Sequence, residues 1–272
     1  MCPRHPDRIS YVRCQRCGRP VCPQCQRPAP VGVHCVDCVA EANRAVPARR
    51  TALGGRVRDG RPLVTFTLIG LSALSYLLQL TTPTWTSRWL FSPLLGASQP
   101  YRFLTAAFLH SPVSFLHIVF NMVALWTVGP LLEQLLGRAR YLTLYLMAAV
   151  GGSVGAVLLA PVTHSWNVGI VGASGAVFGL FGAILVVLRR VGADARGILG
   201  VIVINLVIGF VPGLGIAWQA HVGGLVVGLL LGAAYAYAPA PRRRLVAVAA
   251  PVVVGVLLVA STVLAYRAVG LL

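Results

Sequence analysis

Four polar residues in otherwise apolar sequence have types and spacing that could hydrolyse a peptide bond. Ser174 lies between two glycines, and His221 follows in a later apolar stretch. A serine hydroxyl becomes a nucleophile when a nearby histidine accepts its proton. His117 and Asn121 are four residues apart, so they project from one face of a helix. The alternative for Ser174 alone is a small residue that lets helices pack.

The first forty residues contain all seven cysteines, grouped with one histidine into four pairs that have two-residue spacers. The eight potential ligands are Cys2, His5, Cys14, Cys17, Cys22, Cys25, Cys35 and Cys38. Such a spacer presents two ligand atoms to one ion, and Zn²⁺ takes four in a tetrahedron. Eight ligands therefore indicate two zinc ions. The segment is too short for its own hydrophobic core, so metal binding would supply its folding energy.

The cysteine pattern resembles a B-box-type zinc finger with interleaved ligand pairs. The resemblance implies that one ion is shared by Cys2, His5, Cys22 and Cys25, and the other by Cys14, Cys17, Cys35 and Cys38.

Composition indicates the elements that must position these residues. Of the 272 residues, 57% are hydrophobic and only 11% are charged, which excludes an ordinary soluble domain. A bilayer span needs about 20 apolar residues. Seven stretches qualify, at residues 62–80, 114–132, 141–160, 167–190, 197–215, 218–238 and 245–266. The sequence predicts an all-α polytopic membrane protein.

The net charge of +17 comes from arginines that are spread along the chain, which argues against nucleic-acid binding. They concentrate before the first predicted span and after the second, fourth and sixth. The positive-inside rule then predicts a cytoplasmic N-terminus and an extracytoplasmic C-terminus. The first forty residues have no apolar segment typical of a signal peptide. A cytoplasmic location disfavours disulfides, which are the alternative for the cysteines.

Ser174 stands where an extracytoplasmic loop turns into the fourth span, near the N-terminus of that helix, and His221 lies in the first turns of the sixth. Both spans run from outside to inside, so the two residues are expected at similar depth toward the outer leaflet. The free N–H groups of a helix N-terminus suit a developing oxyanion at Ser174. Small residues four apart allow close helix approach in lipid. They are Gly175 and Gly179 in the fourth span and Gly224, Gly228 and Gly232 in the sixth.

At these residues the chain resembles the rhomboid family of intramembrane serine proteases. The matching motifs are GASG (172–175), AHVGGLVVG (220–228), HIVFN (117–121), Tyr101–Arg102 and EQLLGR (133–138). The resemblance covers residues 62–238 and implies a six-helix rhomboid core plus one extra C-terminal transmembrane helix. The expected domains are a zinc-binding domain (1–40), a basic cytoplasmic linker (41–61), the core (62–238), and a cytoplasmic loop with the seventh helix (239–272).

The resemblance implies a Ser174–His221 dyad without an acid. His117, Asn121 and the backbone N–H of Ser174 would stabilise the oxyanion, and Gly172 would keep the loop open. Phe178 stands where many members have a tyrosine that stacks on the catalytic histidine, and phenylalanine can stack too. The aromatic loop 81–113 is expected to buttress the site from the outer leaflet. Glu133 and Arg138 are expected to be structural, and His110 and His164 to lie in exposed or interfacial loops.

The family further implies transmembrane protein substrates in the lipid bilayer, with a helix-destabilising segment and a small residue before the cut. Two alternatives remain open. One is a catalytically silent relative that binds membrane clients, and the other is a transporter that uses His117 and His221 as ion sites. The zinc domain could recruit a cytoplasmic partner or sense metal or redox state.

Overall fold

The computed structural model describes residues 1–45, 51, 53–55, 61–211 and 213–272. The chain divides into two compact units, Met1–Arg49 and Arg50–Leu272. Within the predicted basic linker, residues 41–45 continue a helix, whereas residues 46–50, 52 and 56–60 lie outside the described residues.

The first unit is a small fold built around its cysteines. Strands β1 (Gln26–Pro28) and β2 (Val33–Cys35) pair antiparallel and are followed by helix α1 (Val36–Ala45). Its buried apolar residues are Val21, Cys2, Cys14, Cys22, Cys25, Cys35 and Cys38. One buried aliphatic side chain among the described residues is far too little to hold such a segment folded.

The second unit is helical. Its long helices are α2 (Leu63–Thr81), α6 (Phe115–Leu136), α7 (Arg138–Thr163), α8 (Ser174–Arg190), α9 (Arg196–Gly209), α10 (Trp218–Tyr237) and α11 (Arg243–Ala268). Three short helices lie in the loop between α2 and α6, which is called the outer loop after its predicted side of the membrane. They are α3 (Trp85–Trp89), α4 (Pro93–Ser98) and α5 (Arg102–Thr105).

Helix α8 lies at the centre of the second unit, in contact with α6, α7, α9 and α10. Every residue from Gly175 to Leu185 is buried. A Cβ on Gly224 would overlap the carbonyl of Gly175, and a Cβ on Gly228 would overlap the carbonyl of Gly179. Helices α8 and α10 thus touch backbone to backbone, as the glycine spacing predicts.

Five of the seven predicted spans are helices long and apolar enough to cross a membrane, judged by length and composition among the described residues. The fourth and fifth are shorter than predicted: α8 has 17 residues and α9 has 14. Apolar loop residues had extended both predictions. Gly172 has φ 133° just before α8, and Gly213 and Gly215 have positive φ after α9, so neither helix continues through them.

The outward faces of several long helices are apolar. Exposed residues include Leu74 and Leu77 on α2, Ile204 and Val207 on α9, and Val253 and Leu257 on α11. Water does not tolerate large contiguous surfaces of this kind, whereas lipid does. The chain is a multi-pass membrane protein.

A buried carboxylate ties the start of α2 to the end of α6. Glu133 is 5% exposed and accepts hydrogen bonds from the backbone N–H groups of Val64 and Thr65, at 3.2 and 2.9 Å. The Thr65 hydroxyl adds a third at 3.0 Å, and Arg138 pairs with the carboxylate at 3.3 Å. The first N–H groups of a helix have no partner within the helix, so the carboxylate caps α2. Glu133 and Arg138 therefore have the structural role expected of them.

Candidate active site and candidate metal sites

Ser174 is the first residue of α8 and is partly exposed. The loop that leads to it is fixed to the outer loop by backbone hydrogen bonds. Phe91 and Ile170 form a two-bond bridge, and the Gly172 N–H donates to the Ala106 carbonyl at 3.0 Å. As the first residue of a helix, Ser174 has a backbone N–H with no partner within that helix. The fold thus presents a serine hydroxyl and a free N–H together.

Gly172 marks a small space between Ser174 and His117. A Cβ at this position would lie 2.9 Å from both Cε1 and Nε2 of His117, and 3.6 Å from Ser174 Oγ. Its φ of 133° is also one that side-chain-bearing residues rarely adopt. Glycine therefore leaves open a volume bordered by the serine hydroxyl and by His117 Nε2.

The structure fixes the tautomer of His117. The backbone N–H of Ser111 donates to His117 Nδ1 at 3.0 Å. A neutral imidazole that accepts at one nitrogen carries its proton on the other. The proton of His117 is therefore on Nε2, which points to the space beside Gly172. Sequence reasoning did not find Ser111, because its contribution is a backbone group and its side-chain type gives no signal.

Asn121 lies one turn after His117 on α6 and is 7% exposed. Its Nδ2 donates to the His117 carbonyl at 2.8 Å. An amide nitrogen has two N–H groups, so one remains for another acceptor. His117 and Asn121 occupy the same face of α6, as their spacing predicts.

His221 lies in the first turns of α10, 7% exposed. Its ring stacks on that of Phe178, with centroids 4.2 Å apart and planes at 10°, as expected for phenylalanine at this position. Phe178 is one helical turn after Ser174, so the two project from the same face of α8. The preceding carbonyl, that of Ala220, is 3.3 Å from where a Cβ of Gly175 would be. These contacts bring His221 to the Ser174 end of α8.

The buried Nδ1 of His221 has no hydrogen-bond partner among the described residues. A third group that orients the histidine, such as the aspartate of a soluble serine protease, would bond at this atom. The described part of the site therefore contains a serine and a histidine without an acid. The assignment of Ser174 and His221 as a dyad stays a prediction.

His110 is buried, and the expectation of an exposed or interfacial position was wrong. Its side chain is 0% exposed, and its ring contacts that of His117 edge to face with centroids 5.3 Å apart. Burial, reinforced by His117, lowers the pKa of His110 to about 3, so the ring is neutral. Neither ring nitrogen has a partner among the described residues. The Gln79 side chain holds the His110 backbone, donating to its carbonyl at 2.8 Å and accepting from its N–H at 2.9 Å, a contact that sequence alone does not reveal.

The outer loop is organised by Arg102, which is 6% exposed. Its guanidinium donates to the carbonyls of Ser87 and Leu90 at 2.9 and 2.6 Å, and to the side chain of Gln99 at 2.7 Å. Tyr101 donates to the same Gln99 oxygen at 2.7 Å. The Tyr101–Arg102 pair thus shapes the loop and does not reach the serine.

In the first unit, the eight cysteine and histidine ligands form two groups. One contains Cys2, His5, Cys22 and Cys25, and the other contains Cys14, Cys17, Cys35 and Cys38. The ligand atoms of each group all lie within 4.8 Å of one another. The structure thus brings the residues together in the interleaved arrangement that the resemblance implies, and both groups are compatible with zinc.

The close packing of the ligands shifts the pKa values of thiols in both groups. A backbone hydrogen bond from Cys22 lowers the pKa of the Cys2 thiol to about 6, whereas burial raises that of Cys25 to about 11. The neighbouring Cys35 sulfur raises the pKa of Cys38 to about 12. Sulfurs this close resist carrying negative charge together, and a divalent cation at their centre removes that conflict.

Residues 97–238 match the Rhomboid domain. Rhomboid protease GluP of Bacillus subtilis (strain 168) is 32% identical over 192 residues, which are 65% of this chain and 36% of that protein. RHOMBOID-like protein 5 of Arabidopsis thaliana is 34% identical over 147 residues, 51% of this chain and 45% of that protein.

Rhomboid protease GlpG of Yersinia pseudotuberculosis serotype I (strain IP32953) is 31% identical over 198 residues, 70% of this chain and 68% of that protein. The match thus covers less than half of GluP and of the plant protein, and two thirds of GlpG. The domain match takes in α6 to α10, and with them Ser174, His221, His117 and Asn121. The chain belongs to the rhomboid family.

Proposed function

We propose that this chain is an intramembrane serine endopeptidase of rhomboid type, in which Ser174 is the nucleophile and His221 the general base. The observation that carries the proposal is the stacking of His221 on Phe178, one turn along α8 from Ser174. The backbone contact of Gly175 with Gly224 supports it, because it brings α8 and α10 together close to Ser174 and His221 in the sequence of each helix.

In the proposed reaction, His221 accepts the Ser174 proton through Nε2, opposite the enclosed Nδ1. The serine oxygen attacks the carbonyl carbon of the scissile peptide and forms a tetrahedral intermediate. His221 then returns the proton to the leaving amine, which gives an acyl-enzyme. Water attacks this ester with His221 again as base, and the new carboxyl end is released.

The oxyanion of the intermediate would occupy the space that Gly172 leaves open. Its donors are the Nε2–H of His117, the free Nδ2–H of Asn121 and the backbone N–H of Ser174. Loss of one such donor costs about 2.7–4 kcal/mol of transition-state stabilisation in other serine proteases. The hydrogen bond from Ser111 supports this assignment, because it leaves His117 Nε2 as a donor.

The test is cleavage of a single-span model substrate in proteoliposomes by wild type, Ser174→Ala and His221→Ala. Ser261→Ala on α11 is the matched control, because its hydroxyl bonds only to its own helix. Wild type and Ser261→Ala should cleave, and the other two should lose activity. A fluorophosphonate should label wild type but not Ser174→Ala. Unlabelled wild type without activity would favour a catalytically silent client-binding relative, and cleavage by Ser174→Ala would contradict the mechanism.

The proposed substrates are transmembrane proteins that present a helix-destabilising segment to the site. The proposed orientation has the N-terminus in the cytoplasm and the C-terminus outside. It is supported by Ser174 at one end of α8 and by Arg189 and Arg190 at the other, since arginines favour the cytoplasmic side. Protease protection of a C-terminal tag in right-side-out vesicles would contradict this orientation.

The first unit is proposed to hold two structural Zn²⁺ ions, one in each four-ligand group. The ions would cross-link the ligand pairs and supply folding energy. Val21, the one buried aliphatic residue in the described part of this unit, cannot supply enough. A cytoplasmic partner of this unit, or a sensing role, remains a hypothesis. Deletion of residues 1–40 that changes neither cleavage nor the proteins that copurify with the chain would contradict both.

A further inference from the structure

Helix α11 lies outside residues 97–238 that match the family domain, yet it reaches the outer loop. Most of α11 is exposed; among its described residues Val254 and Tyr266 are buried. Tyr266 is 2% exposed, and its hydroxyl donates to the Pro93 carbonyl at 2.7 Å. This bond connects the end of α11 to the start of α4, across most of the chain.

The site that Tyr266 fills is closed. A Cβ on Gly96 would lie 2.6 Å from the Tyr266 hydroxyl oxygen and 2.7 Å from the ring of Phe91. Phe91 is 0% exposed, and the Trp166 ring lies 6.4 Å from that of Tyr266 between centroids. Because cores are close-packed, Tyr266 cannot shift without moving α4, Phe91 or Trp166.

Three backbone hydrogen bonds join this same segment to the loop before Ser174. Phe91 and Ile170 exchange N–H···O bonds at 3.1 and 2.6 Å, and the Leu94 N–H donates to the Trp166 carbonyl at 3.0 Å. Ile170 is four residues before Ser174. The segment 91–94 thus lies between Tyr266 on one side and the loop that carries the nucleophile on the other.

We propose that Tyr266 is a positioning residue for Ser174. It holds segment 91–94, and this segment holds residues 166–170 through the backbone bonds, so the extra C-terminal helix sets the position of the nucleophile. The inference rests on the proposed function, since it assigns Tyr266 a role in that reaction. Helix α11 then takes part in positioning the nucleophile. A core of only six helices has to position it without such a helix.

The test compares full-length wild type, Tyr266→Phe and Tyr237→Phe in detergent and in proteoliposomes. Tyr266→Phe keeps the ring and removes only the hydroxyl. Tyr237→Phe is the matched control, because Tyr237 is 59% exposed at the far end of α10. Three properties are measured: kcat and KM for the model substrate, the rate of fluorophosphonate labelling at Ser174, and amide hydrogen exchange in peptides that cover residues 165–173.

Tyr266→Phe should lower kcat and the labelling rate roughly fivefold to tenfold, the factor that one buried hydrogen bond supplies, with KM unchanged. Exchange in residues 165–173 should accelerate by a similar factor while peptides from α7 and α10 exchange as in wild type. A purely structural role would leave kcat unchanged per folded molecule. Tyr237→Phe should match wild type throughout.

Wild-type kcat, labelling and exchange in Tyr266→Phe would overturn the proposal. Faster exchange throughout α7, α8 and α10 would also overturn it, because the hydroxyl would then stabilise the whole fold. If wild type itself is neither active nor labelled, the proposed function fails. In that case exchange at residues 165–173 still decides whether Tyr266 holds the loop.

Discussion

Phe178 and His221 stack nearly parallel, with ring centroids 4.2 Å apart, at the point where α8 and α10 begin their contact. An imidazole that must accept and return a proton needs one orientation, and His221 Nδ1 has no described partner to set it. In the proposed mechanism, the aromatic face of Phe178 takes the orienting role that a carboxylate has in a triad.

Replacement of Phe178 by leucine should lower kcat about twofold to tenfold, because an aromatic pair contributes about 0.5–1.5 kcal/mol beyond its area. Phe178→Tyr should retain activity, since it preserves the stacked face. Phe181→Leu is the control for an equal change of core volume, as Phe181 contacts Phe178 edge to face. The kcat of each variant is measured with the single-span substrate. A wild-type kcat in Phe178→Leu would contradict the orienting role.

Gly172→Ala should reduce cleavage about a hundredfold or more, the range seen when an oxyanion donor is lost. The added methyl would lie 2.9 Å from the His117 ring and fill the space proposed for the oxyanion. Fluorophosphonate labelling of Ser174 should fall in parallel, because the tetrahedral adduct needs the same space.

Gly192→Ala is the control for Gly172→Ala. Gly192 also has positive φ, at 73°, but a Cβ there would meet nothing within 4 Å. Alanine in this left-handed region costs about 1 kcal/mol and its methyl meets no obstruction, so the variant should remain active. Equal loss of activity in both variants would indicate strain alone and would contradict the role of the open space.

The sequence predicts what depends on residue type. A serine, two histidines and an asparagine in apolar surroundings are conspicuous, because buried polar groups in lipid are costly. The glycines spaced four apart predict the contact of α8 with α10, because only residues without a Cβ let two helix backbones approach so closely. The cysteine pairs predict two zinc ions because they supply eight ligands and Zn²⁺ takes four.

What the sequence does not predict depends on backbone groups and distant contacts. The Ser111 N–H that sets the His117 tautomer is a donor that every residue except proline carries. His110 looks like a loop residue in the sequence, and its burial depends on the distant Gln79 side chain that bonds to its backbone. Tyr266 and Pro93 meet only after the whole helical unit has packed, so no local pattern marks their bond.

Gly228→Ala should destabilise the protein by about 1–3 kcal/mol or more, because its Cβ would overlap the carbonyl of Gly179 and backbone cannot move aside cheaply. Thermal unfolding in detergent measures the loss. Gly70→Ala is the control, as a Cβ on that exposed residue of α2 meets nothing within 4 Å. It should be neutral or stabilising by up to about 1 kcal/mol. Unchanged stability in Gly228→Ala would contradict the close backbone contact.

The full-length chain purified without chelator should contain two zinc ions, measured by elemental analysis. His5→Ala and Cys17→Ser remove one ligand from different groups, so each should reduce the content toward one ion. His34→Ala, outside both groups, should retain two. Wild type in which the cysteines resist alkylation until a reductant is added would indicate disulfides and contradict the zinc sites.

Thr65→Val should lower stability by about 1–3 kcal/mol, the cost of leaving a buried polar group one donor short. The Thr65 hydroxyl bonds to the Glu133 carboxylate at 3.0 Å and lies 3.2 Å from the Tyr141 hydroxyl. Valine has nearly the same shape, so the change removes bonding and preserves packing.

Thr67→Val is the matched control, two residues along the same helix. The Thr67 hydroxyl bonds only to the Leu63 carbonyl of its own helix and its side chain is exposed, so its loss should leave stability within about 0.5 kcal/mol. Thermal unfolding of both variants in the same detergent gives the difference. Equal stabilities of Thr65→Val and Thr67→Val would mean that the Glu133 carboxylate does not need the Thr65 hydroxyl. The backbone N–H groups of Val64 and Thr65, together with Arg138, would then satisfy it, and the cap on α2 would be electrostatic.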